Sequence, residues 1–303
     1  MTVTSKLKGL VEPLLRASVP SQDAKPLGTP TRPPADAYLD DDRRPPFFII
    51  GCVRSGTTLL RDVIASHPQL FCPNETHFFR YAEAYGTLAY ITPFMNRKIF
   101  KNHRDLDSIS EEQFRDEILL KSHSRGELMR RYADAYLSAQ NAPAGARWFD
   151  KTPQNVYGAF LIAHQFPEAR FIHIVRNPLN VIASLKGSEV MTVKQIVGAA
   201  NYWLEAAIMM QSLKGLYPDR VFEMRYDQFT ADPAPFIQSI FDFIGEDASG
   251  VGYKMRKIKP EKNKYKKLLT ADDLEFANEI CGDMAKAYGF DIGAAQSEIQ
   301  ADA

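Results

Sequence analysis

The chain has 303 residues, 45% of them hydrophobic, enough to bury the core of one large domain or of a domain with an insertion. Its 37 Lys+Arg balance 37 Asp+Glu, which excludes a global field drawing it to nucleic acid or to an acidic membrane. Cys52, Cys72 and Cys281 form neither an even set nor a metal-like spacing, and no apolar stretch approaches a membrane span, so a reducing, cytoplasmic setting without structural metal is expected.

Residues 1–45 read as an N-terminal arm and a proline-rich linker. Leu7, Leu10, Val11, Leu14 and Leu15 lie on one side of a short amphipathic helix that Pro13 breaks. A packing arm is the expected role, with peripheral membrane contact as the alternative. Glu12 and Pro13 interrupt the only candidate for a signal-peptide core. The folded domain is expected over 46–290, with a tail at 291–303.

That domain opens on Pro46–Arg61, PFFIIGCVRSGTTLLR. Phe47–Ile50 predicts a buried parallel strand, and Gly51 to Gly56 a tight loop that enters a helix at Thr57. In this geometry backbone N–H groups and a helix N-terminus converge on an anion, with Thr57 and Thr58 adding hydroxyl donors. Gly51, Gly56 and Thr58 have the spacing of the ATP-binding loop, but Thr57 stands where its lysine belongs and Arg54 appears inside the loop. The helix should end near Ser66–Pro68, before a strand Gln69–Cys72. Asn74-Glu75-Thr76-His77-Phe78-Phe79 then places Glu75 and His77 at a strand edge with aromatics behind. A carboxyl in such a partly dry cleft is expected to have a raised pKa and to serve as a general base, with His77 the alternative.

Residues 80–145 predict a helical insertion that covers the site and chooses the substrate, with helices over Glu111–Ser122 and Glu127–Gln140 and a basic loop at Arg97–Arg104. His103 and His123 have no evident partners and read as surface residues. A strand Arg147–Asp150 leads to Lys151-Thr152-Pro153, a helix spans Gln154–Gln165, and a strand Ala169–Val175 ends at Arg176. Asn177-Pro178 turns the chain into a helix Leu179–Leu185 that carries Ser184. Val193–Leu216 predicts a long core helix, Arg220–Met224 a fifth strand, and Pro233–Phe243 a further helix. The basic run Lys254 to Lys267 reads as a lid over an anionic ligand. Ala271–Tyr288 closes the domain before Gly289.

Arg54-Ser55-Gly56-Thr57-Thr58-Leu59-Leu60, together with Arg176-Asn177-Pro178 and Ser184, resembles the two nucleotide signatures of sulfotransferases that use 3′-phosphoadenosine 5′-phosphosulfate (PAPS), among them the protein-tyrosine and glycan enzymes. The resemblance implies a doubly wound α/β fold of about five parallel strands with a P-loop-like nucleotide site. It implies in-line transfer of a sulfuryl group to a hydroxyl or amine. Arg54, Ser55, Gly56, Thr57 and Thr58 would hold the 5′ end of the nucleotide, and Arg176 and Ser184 its 3′-phosphate. Glu75 would take the acceptor proton, and Lys151 and Arg54 would stabilise the transferring group. Tyr226 in Arg225-Tyr226-Asp227, and Lys264 in Asn263-Lys264-Tyr265, match more loosely as nucleotide contacts. Glycan, peptide, lipid and small-molecule acceptors all stay open. Two rival readings stand beside this one: a nucleoside-triphosphate kinase with an ATP-type loop, and a non-catalytic nucleotide binder.

Overall fold

β1 (Phe47–Ile49) is fully buried and lies at the middle of a five-stranded parallel sheet. Its neighbours run in the order β2 (Leu70–Phe71), β3 (Arg147–Lys151), β1, β4 (Arg170–Val175), β5 (Val221–Arg225). A continuous apolar run suits a strand covered on both faces, and alternation sorts its side chains between two cores. Phe48 packs with Trp148, Phe166 and Phe171 on one face, while Phe47 stacks on Phe149 at 4.6 Å on the other. The computed structural model describes residues 44–188 and 192–294. The arm and linker expected over 1–45 fall almost wholly outside the described residues, as does the tail beyond 294.

Because β1 pairs with β3 on one side and β4 on the other, the chain winds first one way and then the other. The resulting crevice opens at the C-terminal ends of these strands, where ligands bind in such sheets. Around it run α1 (Thr57–Ile64), α2 (Leu88–Asn96), α3 (Lys98–Leu106), a π-wound turn at Gln113–Leu119, and α4 (Arg125–Ala139). They are followed by α5 (Ala159–Gln165), α6 (Pro178–Lys186), α7 (Ile196–Leu216), α8 (Tyr226–Ala231), α9 (Pro233–Ile244), α10 (Tyr265–Leu268) and α11 (Ala271–Ala287). Among the described residues no helix is long and apolar enough to cross a membrane.

Local chemistry sets the boundaries. Ser124 caps α4 by accepting from the Glu127 N–H, Asn177 caps α6 by accepting from Leu179, and Thr270 with Asp273 forms a capping box on α11. Two expectations change. Arg97–Arg104 is not a loop but mostly helix α3, whose Phe100 and Arg104 are buried while Lys98 and Lys101 face water. Its single aromatic anchor, Phe100, is hidden by basic composition. His103, on the same helix, is no free surface residue, because its Nδ1 meets the Glu75 carbonyl at 2.8 Å.

Candidate functional site

Each strand delivers one residue of the expected site to the same edge of the sheet. Arg54 follows β1, Glu75 follows β2, Lys151 ends β3, Arg176 follows β4 and Tyr226 follows β5.

The loop after β1 needs its glycines. Gly51 has φ +141° and Gly56 φ +99°; a Cβ at Gly56 would lie 2.3 Å from the Tyr226 ring, and one at Gly51 2.7 Å from the ring of His173. Arg54 between them is also left-handed, with φ +67°. Helix α1 starts at Thr57 with no side-chain cap, so its first N–H groups are available to an anion. Ser55 Oγ is fully buried, beside the Cys52 thiol. Thr57 is buried beside it, and Thr58 is exposed. Beneath the loop, Glu223 receives His173 and Lys214 at 3.0 Å each; burial pushes its pKa up, but these partners outweigh that and hold the carboxyl at about 2.

The second group lies against the first. Arg176 donates from Nη1 to the Arg54 carbonyl at 2.8 Å, and Arg54 donates from Nε to Ser184 Oγ at 2.9 Å. The sequence assigns Arg54 to the 5′ end and Ser184 to the 3′-phosphate, yet the two side chains touch. The Arg176 guanidinium carbon stands 4.7 Å from the centre of the Tyr226 ring. Its other two nitrogens grip Glu261, Nε at 2.5 Å and Nη2 at 2.9 Å. Glu261 belongs to the basic run read as a lid, and Asn263 fastens that run to α6 by accepting from Asn180 at 2.9 Å. Lys264 is exposed, its ammonium without a partner among the described residues.

The third group joins Glu75 and Lys151. Lys151, only 3% exposed, donates from Nζ to Glu75 Oε1 at 2.5 Å, and His77 Nε2 stands 3.4 Å from Oε2. A raised pKa was the expectation for Glu75, and the structure reverses it. Burial pushes the carboxyl up, but the hydrogen bonds and charges of His77 and Lys151 prevail and hold it at about 2. Burial also moves His77 below its usual value, against the pull of Glu75. His77 sits behind Glu75 with φ +56°, and its buried Nδ1 has no hydrogen-bond partner among the described residues.

Several residues of this neighbourhood escaped the sequence reading. Asp107 and Asp150 are buried and bond the residues on either side of Glu75, and Glu261 occupies Arg176. Asp150 had a local signal, a carboxylate directly before Lys151 at a strand end. For Asp107, His103 and Glu261 no short-range pattern exists, since their partners are distant in sequence.

Residues 45–249 match the model of a family described as the sulfotransferase family. Among curated proteins, the chain is 28% identical over 225 residues to nodulation protein NoeE of Sinorhizobium fredii (strain NBRC 101917 / NGR234), covering 67% of this chain and 51% of that one. It is 27% identical over 205 residues to an uncharacterized protein of Aquifex aeolicus (strain VF5), covering 65% and 25%. The chain therefore spans between a quarter and half the length of these relatives. Among solved structures, the sulfotransferase domain from the Synechococcus PCC 7002 olefin synthase superposes with a TM-score of 0.59 at 22% identity, over 83% of this chain and 97% of that domain. With more than half of its length matched, this chain belongs to the sulfotransferase family.

Proposed function

We propose that the protein transfers a sulfuryl group from PAPS to an acceptor hydroxyl or amine by in-line displacement. The observation that carries this reading is the meeting of Arg54, Arg176 and Ser184 beside an uncapped helix N-terminus, on the same sheet edge as the Glu75–Lys151 pair. Two adjoining anion positions suit a nucleotide with phosphate groups at both ends of its ribose. The residues fit that substrate: the buried Ser55 Oγ and the first N–H groups of α1 supply donors for the 5′ group. Arg176 and Ser184 supply them for the 3′-phosphate, Arg54 bridges the two, and Tyr226 offers its ring beside Gly56 and Arg176.

Glu75 is the proposed base. Bonded to His77 and Lys151 it is ionised but too weakly basic to accept a proton well. When the Lys151 ammonium turns to the substrate's anionic oxygens, Glu75 loses one of the two partners that depress it and recovers part of its basicity. The same movement places a cation where charge develops on the transferring group and the departing 5′-phosphate. Lys151 thus couples donor binding to activation of the base.

The test is incubation with radiolabelled PAPS and an extract of the host cell, followed by identification of the labelled species. Label should appear in a distinct acceptor. Glu75→Gln should lower the transfer rate on the order of a hundredfold or more with little change in affinity for adenosine 3′,5′-bisphosphate. Arg176→Ala should chiefly weaken that affinity. Tighter binding of ATP than of the bisphosphate, or no labelled product from any extract, would overturn the reading.

A further inference from the structure

Glu75 lies in a stretch without regular secondary structure between β2 and α2. No strand or helix ladder runs through it, and two buried carboxylates bond the residues on either side of it. On its N-terminal side, Asp107, 1% exposed, accepts from the Asn74 N–H at 3.0 and 3.2 Å and from Asn74 Nδ2 at 2.8 Å. Its second oxygen also accepts from the Tyr132 hydroxyl at 2.7 Å. On the C-terminal side, Asp150, fully buried, accepts from Thr76 Oγ1 at 2.9 Å, Thr152 Oγ1 at 3.0 Å and Asn155 Nδ2 at 3.0 Å. The network closes on the main chain, with the Thr76 N–H donating to Thr152 Oγ1 and the Phe79 N–H to Asn155 Oδ1.

Buried carboxylates are costly, and well-packed apolar residues would often hold a loop as firmly. Here both grip an immediate neighbour of Glu75, and both stand on elements that carry other parts of the site. Asp150 precedes Lys151 in β3. Asp107 follows α3, whose His103 bonds the Glu75 carbonyl. We propose that Asp107 and Asp150 are positioning residues for sulfuryl transfer, clamping Asn74 and Thr76 so that the Glu75 carboxylate holds one place, on Lys151 before the donor binds and aimed at the acceptor once Lys151 turns to the donor. The clamp joins the helical insertion to the nucleotide edge of the sheet through the base itself. It rests on the reading of Glu75 as that base.

Asp107→Asn and Asp150→Asn test it, with Glu246→Gln as the control. Glu246 is a carboxylate whose side chain is 5% exposed, 2.9 Å from Arg147 at the opposite end of β3. Two measurements apply: acetylation of Lys151 by acetic anhydride, read by peptide mass spectrometry, and transfer of label from PAPS at saturating donor. Either Asp variant should raise Lys151 acetylation several-fold and lower transfer on the order of tenfold to a hundredfold, as a displaced base does. Affinity for the bisphosphate should hold, and Glu246→Gln should change neither measurement below its melting temperature. Wild-type acetylation and transfer in both Asp variants would overturn the clamp, as would equal losses in Glu246→Gln. If the unaltered protein moves no label, the transfer reading fails, and Lys151 acetylation still decides the clamp.

Discussion

At the scale of single residues, the bidentate contact between Arg176 and Glu261 occupies the guanidinium proposed to hold the second phosphate. A carboxylate engages a guanidinium in the same forked geometry as a phosphate, so Glu261 would compete with the proposed phosphate for Arg176. Glu261→Gln removes that competing charge and should tighten adenosine 3′,5′-bisphosphate binding by roughly tenfold in calorimetry, a difference of about 1.4 kcal/mol. Equal or weaker affinity would show that Glu261 does not compete. Asp150 gives a second residue-scale expectation. Burial, aided by the nearby Glu75 charge, raises it to about 6 against the hydrogen bonds from Thr76, Thr152 and Asn155. A carboxyl whose pKa is raised by folding adds stability at low pH and loses it as pH rises through the folded value. The melting temperature of the wild type relative to Asp150→Asn should therefore fall between about pH 4 and pH 6 and level off above. A difference independent of pH across that window would contradict the assignment.

At the scale of elements, the turn from β1 into α1 is the most constrained. Gly56→Ala combines a left-handed backbone with a Cβ 2.3 Å from the Tyr226 ring, so the loop or the ring must shift. The cost should be about 1–3 kcal/mol, and bisphosphate affinity should drop at least about tenfold. Gly86→Ala provides the contrast, since Gly86 has φ +85° but nothing within 4 Å of an added Cβ. It should carry backbone strain and leave affinity unchanged. Elements were legible where period and punctuation agree. The Phe47–Ile50 run, the Asn177-Pro178 helix start and the glycine after α11 all correspond to observed features, because each depends on a few adjacent residues. Helix α3 was not legible, since only Phe100 and Arg104 turn inward and its basic residues read as a solvated loop.

At the scale of the molecule, the sheet separates chemistry from support. The C-terminal strand ends carry the site, while the opposite end is fastened by Arg147, which donates to the Pro45 and Ile244 carbonyls and pairs with Glu246. Both partners of that pair are about 5% exposed or less. Glu246→Ala should leave a buried guanidinium uncompensated, costing about 3–5 kcal/mol and lowering the melting temperature by roughly 10 °C. Bisphosphate affinity measured below melting should stay as in the wild type, because nothing of the site lies at that end.

The sequence alone determined the strand–loop–helix, there read as an anion cradle, and the parallel α/β class, and it carried the second motif at Arg176 and Ser184. Glycine placement, apolar alternation and helix capping act across a few residues and can be read in a line. Only the tertiary structure decided that Lys151 lies on Glu75 and depresses it, that Asp107 and Asp150 hold its neighbours, and that Glu261 fills the fork of Arg176. Glu75 and Lys151 are 76 residues apart and Arg176 and Glu261 85, and such charges meet only when the sheet brings its strand ends to one edge. Their energies depend on burial and on partners that no local pattern records.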